Sequence, residues 1–462
     1  VRQQTEVRRI QIAGPHVVPT PASIKLDSDA KPCLLDRNSR ILVSSAKDDA
    51  PLLEQHGKVL AGELEILTGL QVPVVVGTDD AKPHDIVLSV ARRAGQNVDD
   101  ESHKLVAGNN GVLISADSFR GVTHGTSSLL QLIDSDSLAV PAVTIEDRPA
   151  ASYRALMVDV ARTPHSIGVI KDAVRLCRLY KLRFLQLHLT DNQHFTFPFA
   201  PVTDSLERNF HYTVEELEDL VAYADARGVT IIPELDLPGH SERLKASGYL
   251  TPSETDADVA SPENYERIGK LIDAMIDVFS SSPYFHIGGD ESGAGRKLIP
   301  FLTEVNKRVR TRGKRLLVWE GFHGAPTDVL PASGDDRIIV MAWESSYNAP
   351  WDLLNNGYQI INASWKPTYL TGGYGGLIHP GSTGGKRFLL EDIYRWDKST
   401  FMHWEPGRPV FEDRGPNDPN RDDGEWNANW ISKADQILGG QMLYWEQHEC
   451  SVLHFLSPRV PI

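Results

Sequence analysis

The run His286-Ile287-Gly288-Gly289-Asp290-Glu291 closes an apolar segment (Tyr284, Phe285, Ile287) with two glycines and then two adjacent carboxylates. Neighbouring acids repel each other, and each loses solvation when covered, so a protein that keeps both commonly uses their different proton affinities. In a regular strand, residues 290 and 291 would face opposite sides. The glycines let the backbone turn so that both side chains reach one cavity. One ionised acid beside one that holds a proton is the division of labour that cleaves a glycosidic bond. The competing reading is a surface turn capped by acids. All nine tryptophans fall between Trp319 and Trp445, after the acids. Indole offers a flat apolar face and an N–H at its rim, so aromatics around a carboxylate pair suggest a sugar ligand.

Those residues need strands to place them. From Tyr153 onward, short apolar runs alternate with helical patterns: Tyr153 to Val160, Phe184 to Leu189, Thr230 to Leu235, Tyr284 to Ile287, Arg315 to Trp319, Ile338 to Ala342, Gln359 to Asn362 and Gln441 to Trp445. Eight such runs over about 300 residues predict an α/β fold of the (β/α)8 TIM-barrel type, with an open doubly wound sheet as the rival. Nearly every run ends in polar or aromatic residues, among them Asp159, Arg162, His188, Asp191, Glu234, His240 and Trp343. In a barrel those ends share one face, which is where such enzymes build their sites. Residues 1–148 read as a small α+β domain before the barrel at 149–462, with the boundary in Pro141 to Ala150.

The chain has 462 residues and a formal charge of -15, which disfavours a nucleic-acid partner. Cys33, Cys177 and Cys450 have no metal-like spacing, and no 18-residue apolar run predicts a membrane span. The first ten residues are too polar for a signal peptide, and the start at Val suggests a leader removed or left out. The Gly-rich run Thr371 to Gly385 reads as a loop, since the phosphate-loop spacing is missing around Lys386.

HIGGDE, with Tyr153 to Arg162 (YRALMVDVAR), Leu187 to Gln193 (LHLTDNQ) and Pro233 to His240 (PELDLPGH), resembles the family 20 glycoside hydrolases, the β-N-acetylhexosaminidases. The resemblance covers most of the chain, and the opening domain resembles the small domain that precedes the barrel in that family. It implies an exo-acting enzyme that removes terminal non-reducing N-acetyl-β-D-hexosamine by substrate-assisted, retaining catalysis, with no enzyme nucleophile, no cofactor and no metal. Asp290 then stabilises the acetamido group and the oxazolinium formed from it, and Glu291 is the acid and base. Asp191 and His240 support Glu291. Arg154 grips ring hydroxyls, Trp319, Trp343 and Trp445 form an aromatic box, and Tyr369 aims the acetamido oxygen.

Two positions depart from the family pattern. Thr371 stands where an acid is usual, and Trp445-Glu446-Gln447 replaces Trp-x-Glu on the last strand, so the sugar preference and the role of Gln447 are open. Two other readings compete. A metal-dependent barrel hydrolase could use His188, Asp191, Asp236, His240, His286 and Asp290, although no compact HxH or HxxxH pair occurs. A carbohydrate-binding relative without turnover would need no acid pair. The expected partner is an oligosaccharide or glycoconjugate, and by analogy the location is extracytoplasmic.

Overall fold

The computed structural model describes residues 16–45, 50–77, 81–91, 100–251, 258–259, 261–321, 337–344, 347–370, 396–399, 401 and 434–446. The chain divides into two compact units, Val1–Pro149 and Ala150–Ile462. The first holds strands β1 (Ser23–Leu26), β2 (Cys33–Leu34), β3 (Ile41–Ser45), β4 (Val74–Val76), β5 (Ile86–Val90), β6 (His103–Gly108), β7 (Gly111–Ala116), β8 (Ala139–Val140) and β9 (Val143–Asp147), with helices α1 (Ala50–Thr68) and α2 (Phe119–Leu132). Seven of the strands form one sheet in the order β1-β9-β6-β7-β5-β3-β4. Leu53, Leu60 and Leu64 of α1 and Val122 and Leu129 of α2 share a core with Ile41, Val43, Ile86, Leu88 and Ile114. The segment Pro141–Ala150, read from its prolines and charges as a boundary, contains β9. Its Val143 and Ile145 are buried between β1 and β6.

The second unit contains β10 (Tyr153–Asp159), α3 (Ile167–Leu179), β11 (Phe184–His188), α4 (Ala200–Thr203), α5 (Val214–Asp225), β12 (Thr230–Glu234), α6 (Glu242–Ala246), α7 (Pro262–Val278), β13 (Tyr284–His286), α8 (Leu298–Thr311), β14 (Arg315–Trp319), β15 (Ile339–Ala342), α9 (Pro350–Asn355), β16 (Gln359–Asn362), α10 (Trp365–Thr368) and β17 (Ile437–Tyr444). Strands β10 to β17 close into a parallel barrel, with β17 pairing back onto β10. The (β/α)8 expectation therefore holds.

Alternation along the strands sorts the residues. In β11, Leu185 and Leu187 point outward into the cluster that includes Val174 and Cys177 of α3, while Phe184 lies in the inner cluster. Gln186 and His188 share the inward parity of Phe184. Tyr153, Met157, Ile232, Leu317, Met341, Ile361 and Leu443 fill the barrel interior beside Phe184. Helix α5 starts at a reciprocal cap in which Thr213 Oγ1 accepts the Glu216 N–H at 3.1 Å and Glu216 accepts the Thr213 N–H at 2.8 Å. Cys33 and Cys177 are buried free thiols, one in each unit, and Cys450 lies outside the described residues. Among the described residues no helix is long and apolar enough to cross a membrane.

The last strand begins at Ile437, four residues earlier than the apolar pattern predicts, because Gly439 and Gly440 hide its start. They are glycines for steric reasons. Gly439 has φ +153°, and a Cβ there would lie 1.8 Å from the Tyr153 carbonyl oxygen. At Gly440 a Cβ would lie 2.1 Å from the Trp396 ring. Gly439→Ala is therefore expected to open the β10–β17 seam and cost roughly 2–4 kcal/mol of stability. Denaturant titration of the variant against the parent checks this, and an unchanged midpoint would contradict it.

Candidate active site

Four consecutive strands end at one level inside the barrel with residues of alternating charge type. Asp159 of β10 pairs in register with His188 of β11, His188 with Glu234 of β12, and Glu234 with His286 of β13. All four are fully buried. Placing acids beside bases is what makes such burial tolerable, since an isolated buried charge is strongly disfavoured. Just beyond this layer each chain segment turns and presents a second residue, namely Arg162, Asp191, Asp236 with His240, and Asp290 with Glu291.

The turns are held by specific contacts. Asp159 accepts the backbone N–H groups of Ala161 (3.0 Å), Arg162 (2.9 Å) and Glu446 (3.2 Å), and it pairs with the Arg162 guanidinium at 3.0 Å. Gly288 (φ +76°) packs against Asp236 so closely that a Cβ would fall 1.8 Å from Asp236 Oδ1, and Gly289 (φ +103°) completes the turn to the acids. His240 (φ +50°), Glu291 (φ +45°) and Glu446 (φ +56°) occupy the left-handed region without being glycine. Such strain, of order 1–3 kcal/mol per residue, persists where surrounding contacts over-determine the backbone. All three bring a polar side chain to the mouth.

The side chains form one connected network. Arg162 lies 2.9 Å from Asp191 Oδ2 and 3.5 Å from Glu446. His240 Nδ1 lies 3.3 Å from the same Asp191 oxygen, and its Nε2 lies 3.2 Å from Glu291 Oε2. Behind Asp191, His188 Nε2 approaches at 2.9 Å. Burial opposes the charge on Asp191, but the hydrogen bonds from His188 and His240 and the Arg162 charge hold it well below the usual carboxylate range. Burial also opposes a charge on His240, yet Asp236, Asp191, Glu291 and Asp290 raise its proton affinity. The His240 hydrogen bond holds Glu291 below its ordinary value against partial burial. The His240–Glu291 couple therefore keeps one proton near its shared bond into alkaline solution.

Asp290 behaves in the opposite way. Burial, with the negative charges of Glu291 and Glu234, pushes it up to about 7 against the pull of His240. Its Oδ1 is covered and has no hydrogen-bond partner within the protein. Asp236, also with an unpartnered Oδ1, is raised well above the carboxylate range by burial and by Asp290. A carboxylate oxygen that receives no donor from the protein is suited to a donor on a ligand.

Aromatic rings bound the acids. Trp319 and Trp445 have centroids 5.9 Å apart, Tyr369 lies 6.0 Å from Trp445, and the Arg162 guanidinium sits over the Trp445 ring at 4.9 Å. Trp319 Nε1 donates to Glu234 at 2.7 Å. Trp343 Nε1 donates to the Glu320 carbonyl at 2.8 Å, and the buried Glu320 carboxyl accepts the Trp343 and Asn348 N–H groups at 3.1 and 3.3 Å. Burial pushes Glu320 up to about 8.

Asp290, Glu291, Asp191, His240, Trp319, Trp343, Trp445 and Tyr369 thus gather at one end of the barrel. Arg154 does not join them. It starts β10 with the opposite parity to Asp159, and its guanidinium donates to the carbonyls of Ala151 (2.7 Å) and Lys181 (3.0 and 3.1 Å) at the N-terminal end. Five residues of strand, roughly 17 Å, separate it from the mouth. The arginine of that motif which reaches the site is Arg162, together with Glu446. Position along the strand was the available signal, because Arg154 sits at the start of β10 and Arg162 follows the inward Asp159 past its C-terminal end. Gln447 and Thr371 lie outside the described residues. Three groups have donor atoms within 4.8 Å of one another: His188, Glu234 and Asp236; Asp191, Asp236 and His240; His240, Asp290 and Glu291. Both ring nitrogens of His188 and of His240 are turned toward carboxylates of the network instead of converging on one point.

Comparison with known proteins identifies the family and the fold. Residues 152–297 and 294–459 match glycosyl hydrolase family 20, catalytic domain, and residues 14–148 match domain 2 of that family. A β-N-acetylhexosaminidase of Cellulomonas fimi is 28% identical over 428 residues, covering 86% of this chain and 83% of the relative. A β-hexosaminidase of Vibrio furnissii is 26% identical, and there the match spans 63% of this chain and 56% of the relative. The chain spans 54% of the length of a β-hexosaminidase of Porphyromonas gingivalis. Among solved structures, the family 20 β-N-acetylhexosaminidase of Streptomyces coelicolor superposes with a TM-score of 0.74 at 23% identity, covering 96% of this chain and 89% of that one. The Streptomyces plicatus enzyme in complex with Thio-NAglucal gives 0.74 at 23% identity, over 97% and 90%. At that identity the superpositions show a shared fold.

The two arginines are separable by experiment. Arg162→Met is expected to lower kcat/KM toward an aryl N-acetyl-β-glucosaminide by about 10- to 100-fold, the usual size of a lost charged hydrogen bond. Arg154→Met is expected to leave kcat/KM within about twofold while lowering the thermal midpoint, a surface-end effect on packing alone. Reversed outcomes would return the role to Arg154.

Proposed function

The chain belongs to glycosyl hydrolase family 20, and from that membership and the geometry at the barrel mouth we propose that it hydrolyses terminal non-reducing N-acetyl-β-D-hexosamine residues of oligosaccharides or glycoconjugates. It is a retaining exo-β-N-acetylhexosaminidase that uses the substrate's own acetamido group. The observation that carries the reading is the adjacency of Asp290 and Glu291 at the barrel end that also carries Trp319, Trp343 and Trp445, with Glu291 bonded to His240 and Asp290 Oδ1 without a partner in the protein.

In the first step the acetamido carbonyl oxygen forms a bond to C1, the glycosidic C–O bond breaks, and its electron pair leaves on the departing oxygen. Glu291 protonates that oxygen, drawing on the proton it shares with His240. Asp290 accepts the acetamido N–H and, ionised, offsets the positive charge of the oxazolinium ring. Tyr369 aims the acetamido oxygen while Trp319, Trp343 and Trp445 confine the ring, a gain in orientation and not in bond strength. In the second step Glu291 takes a proton from water as it attacks C1, and the oxazolinium C1–O bond breaks. Two displacements at C1 leave the anomeric configuration unchanged. Arg162 and Glu446, already paired across the mouth, face the outer hydroxyls.

Assay with aryl glycosides tests this. Release from an aryl N-acetyl-β-glucosaminide or galactosaminide is expected, and none from the matching β-glucoside, which has no acyl nucleophile. Glu291→Gln and Asp290→Asn should each lower kcat by about 10²–10⁴-fold. Because Asp290 works ionised and binds its proton more tightly than an ordinary carboxylate, kcat/KM should fall on the acid side at a pH above the usual carboxylate range. Equal rates on both glycosides would remove the mechanism.

A further inference from the structure

The hydrogen-bonded path from Glu291 through His240 does not end at Asp191. His188 lies behind it, fully buried, with both ring nitrogens on acids: Nε2 is 2.9 Å from Asp191 Oδ2 and Nδ1 is 3.0 Å from Glu234 Oε2. A neutral imidazole carries one N–H and could serve only one of them. Nε2 is hydrogen-bonded to Asp191, and Nδ1 meets Glu234 as an ion-pair contact without hydrogen-bond alignment; a buried ring held this close to two carboxylates is stabilised as an imidazolium. His286 provides the internal contrast. Its Nδ1 is 3.4 Å from Glu234 but accepts the Gly288 N–H at 3.0 Å, so it has no proton to offer that acid, and burial holds the ring neutral. Two histidines flank one buried carboxylate: the second carboxylate at His188 favours the charged ring, and the Gly288 N–H at His286 favours the neutral one.

Glu234 is fixed from the other side. It accepts Trp319 Nε1 at 2.7 Å and Gln186 Nε2 at 2.8 Å. Gln186 Oε1 accepts from Gln441 Nε2 at 3.1 Å, and Gln441 Oε1 accepts the Tyr153 hydroxyl at 2.9 Å. Every link donates toward Glu234, so the interior of the barrel is wired to a single anion.

We propose that His188 and Glu234 are positioning residues for the acid–base group, a permanent imidazolium and its counter-ion that determine how strongly Asp191 holds His240 and, through it, Glu291. The inference rests on Glu291 being the acid–base residue. The physical step is competition for one oxygen, since His188, Arg162 and His240 all approach Asp191 Oδ2. Charge that His188 neutralises on Asp191 is unavailable to keep a proton on His240, so the imidazolium pushes the shared proton toward Glu291. The other groups facing these residues are Asp159, Asp236 and His286 around His188, and Asp236, Asp290, Arg162 and Tyr347 around His240 and Glu291.

Removing the positive charge has a defined sign. With His188→Gln, the His240–Glu291 couple binds its proton more tightly but holds it on His240. The alkaline limb of kcat/KM is expected to move to higher pH, and the plateau for a disaccharide substrate to fall about tenfold. A dinitrophenyl glycoside, whose leaving group needs no proton, should change by less than about twofold. A merely structural role would depress both substrates alike and leave the limb in place, which would overturn the proposal. Gln441→Leu, which breaks the same chain without changing charge, should leave the limb where it is; an equal shift there would also overturn it. Should that variant fail to fold, 15N-histidine spectra of His240→Gln decide the matter: one ring must still keep both N–H protons from pH 6 to 9, and its absence sinks the inference. Failure of the parent reading looks different, because Glu291→Ala would then still cleave the disaccharide.

Discussion

A buried carboxylate shared by three basic partners organises the mouth of this barrel. Asp191 receives His188, Arg162 and His240 on one oxygen, and each partner is fixed by a further acid: Glu234, Asp159 and Glu291 in turn. Charges taken out of water are tolerated only when each finds its counter-charge and its hydrogen bonds. The register of the first four strands delivers that alternation, because neighbours in a parallel ladder stand at the same height. Chemistry here is thus a consequence of strand pairing: a slip of one residue in β11 would turn His188 outward and leave Glu234 and Asp191 without their common partner.

Strain and charge are concentrated in the same place. His240, Glu291 and Glu446 all sit in a left-handed backbone conformation, and each is held by a bond to a charged neighbour across the mouth. Rigid strands below and bonded side chains above leave few ways for these turns to relax, which keeps the acid pair preorganised when no sugar is bound. The aromatic wall obeys the same rule: Trp319 is tied to Glu234 and Trp343 to Glu320, so both rings are oriented before they meet a ligand.

Much of this was legible from residue order. The eight apolar runs gave the barrel because outward aliphatics recur at every second position, and the strand-end acids and indoles marked the active face. The small domain was harder. β1 has only four residues, and β9 lies in a stretch whose prolines and charges mimic a linker. The choice between Arg154 and Arg162 failed for a simpler reason: both occur in one motif, and only their places along β10, one at its start and one past its end, separate the base of the barrel from its mouth. His188 and His286 looked alike as strand-end histidines. What distinguishes them is a single backbone N–H from Gly288, a contact that no sequence pattern announces.

The fit of Gly288 beneath Asp236 also constrains how such a site can change over generations. A side chain at 288 has nowhere to go even if Asp236 is trimmed, because a Cβ would still lie 2.8 Å from the Asp236 Cα and the φ of +76° disfavours any L side chain. Position 236 can therefore vary around a fixed glycine, but the glycine cannot vary in answer to it. The main chain, not its neighbour's side chain, sets the limit on this turn.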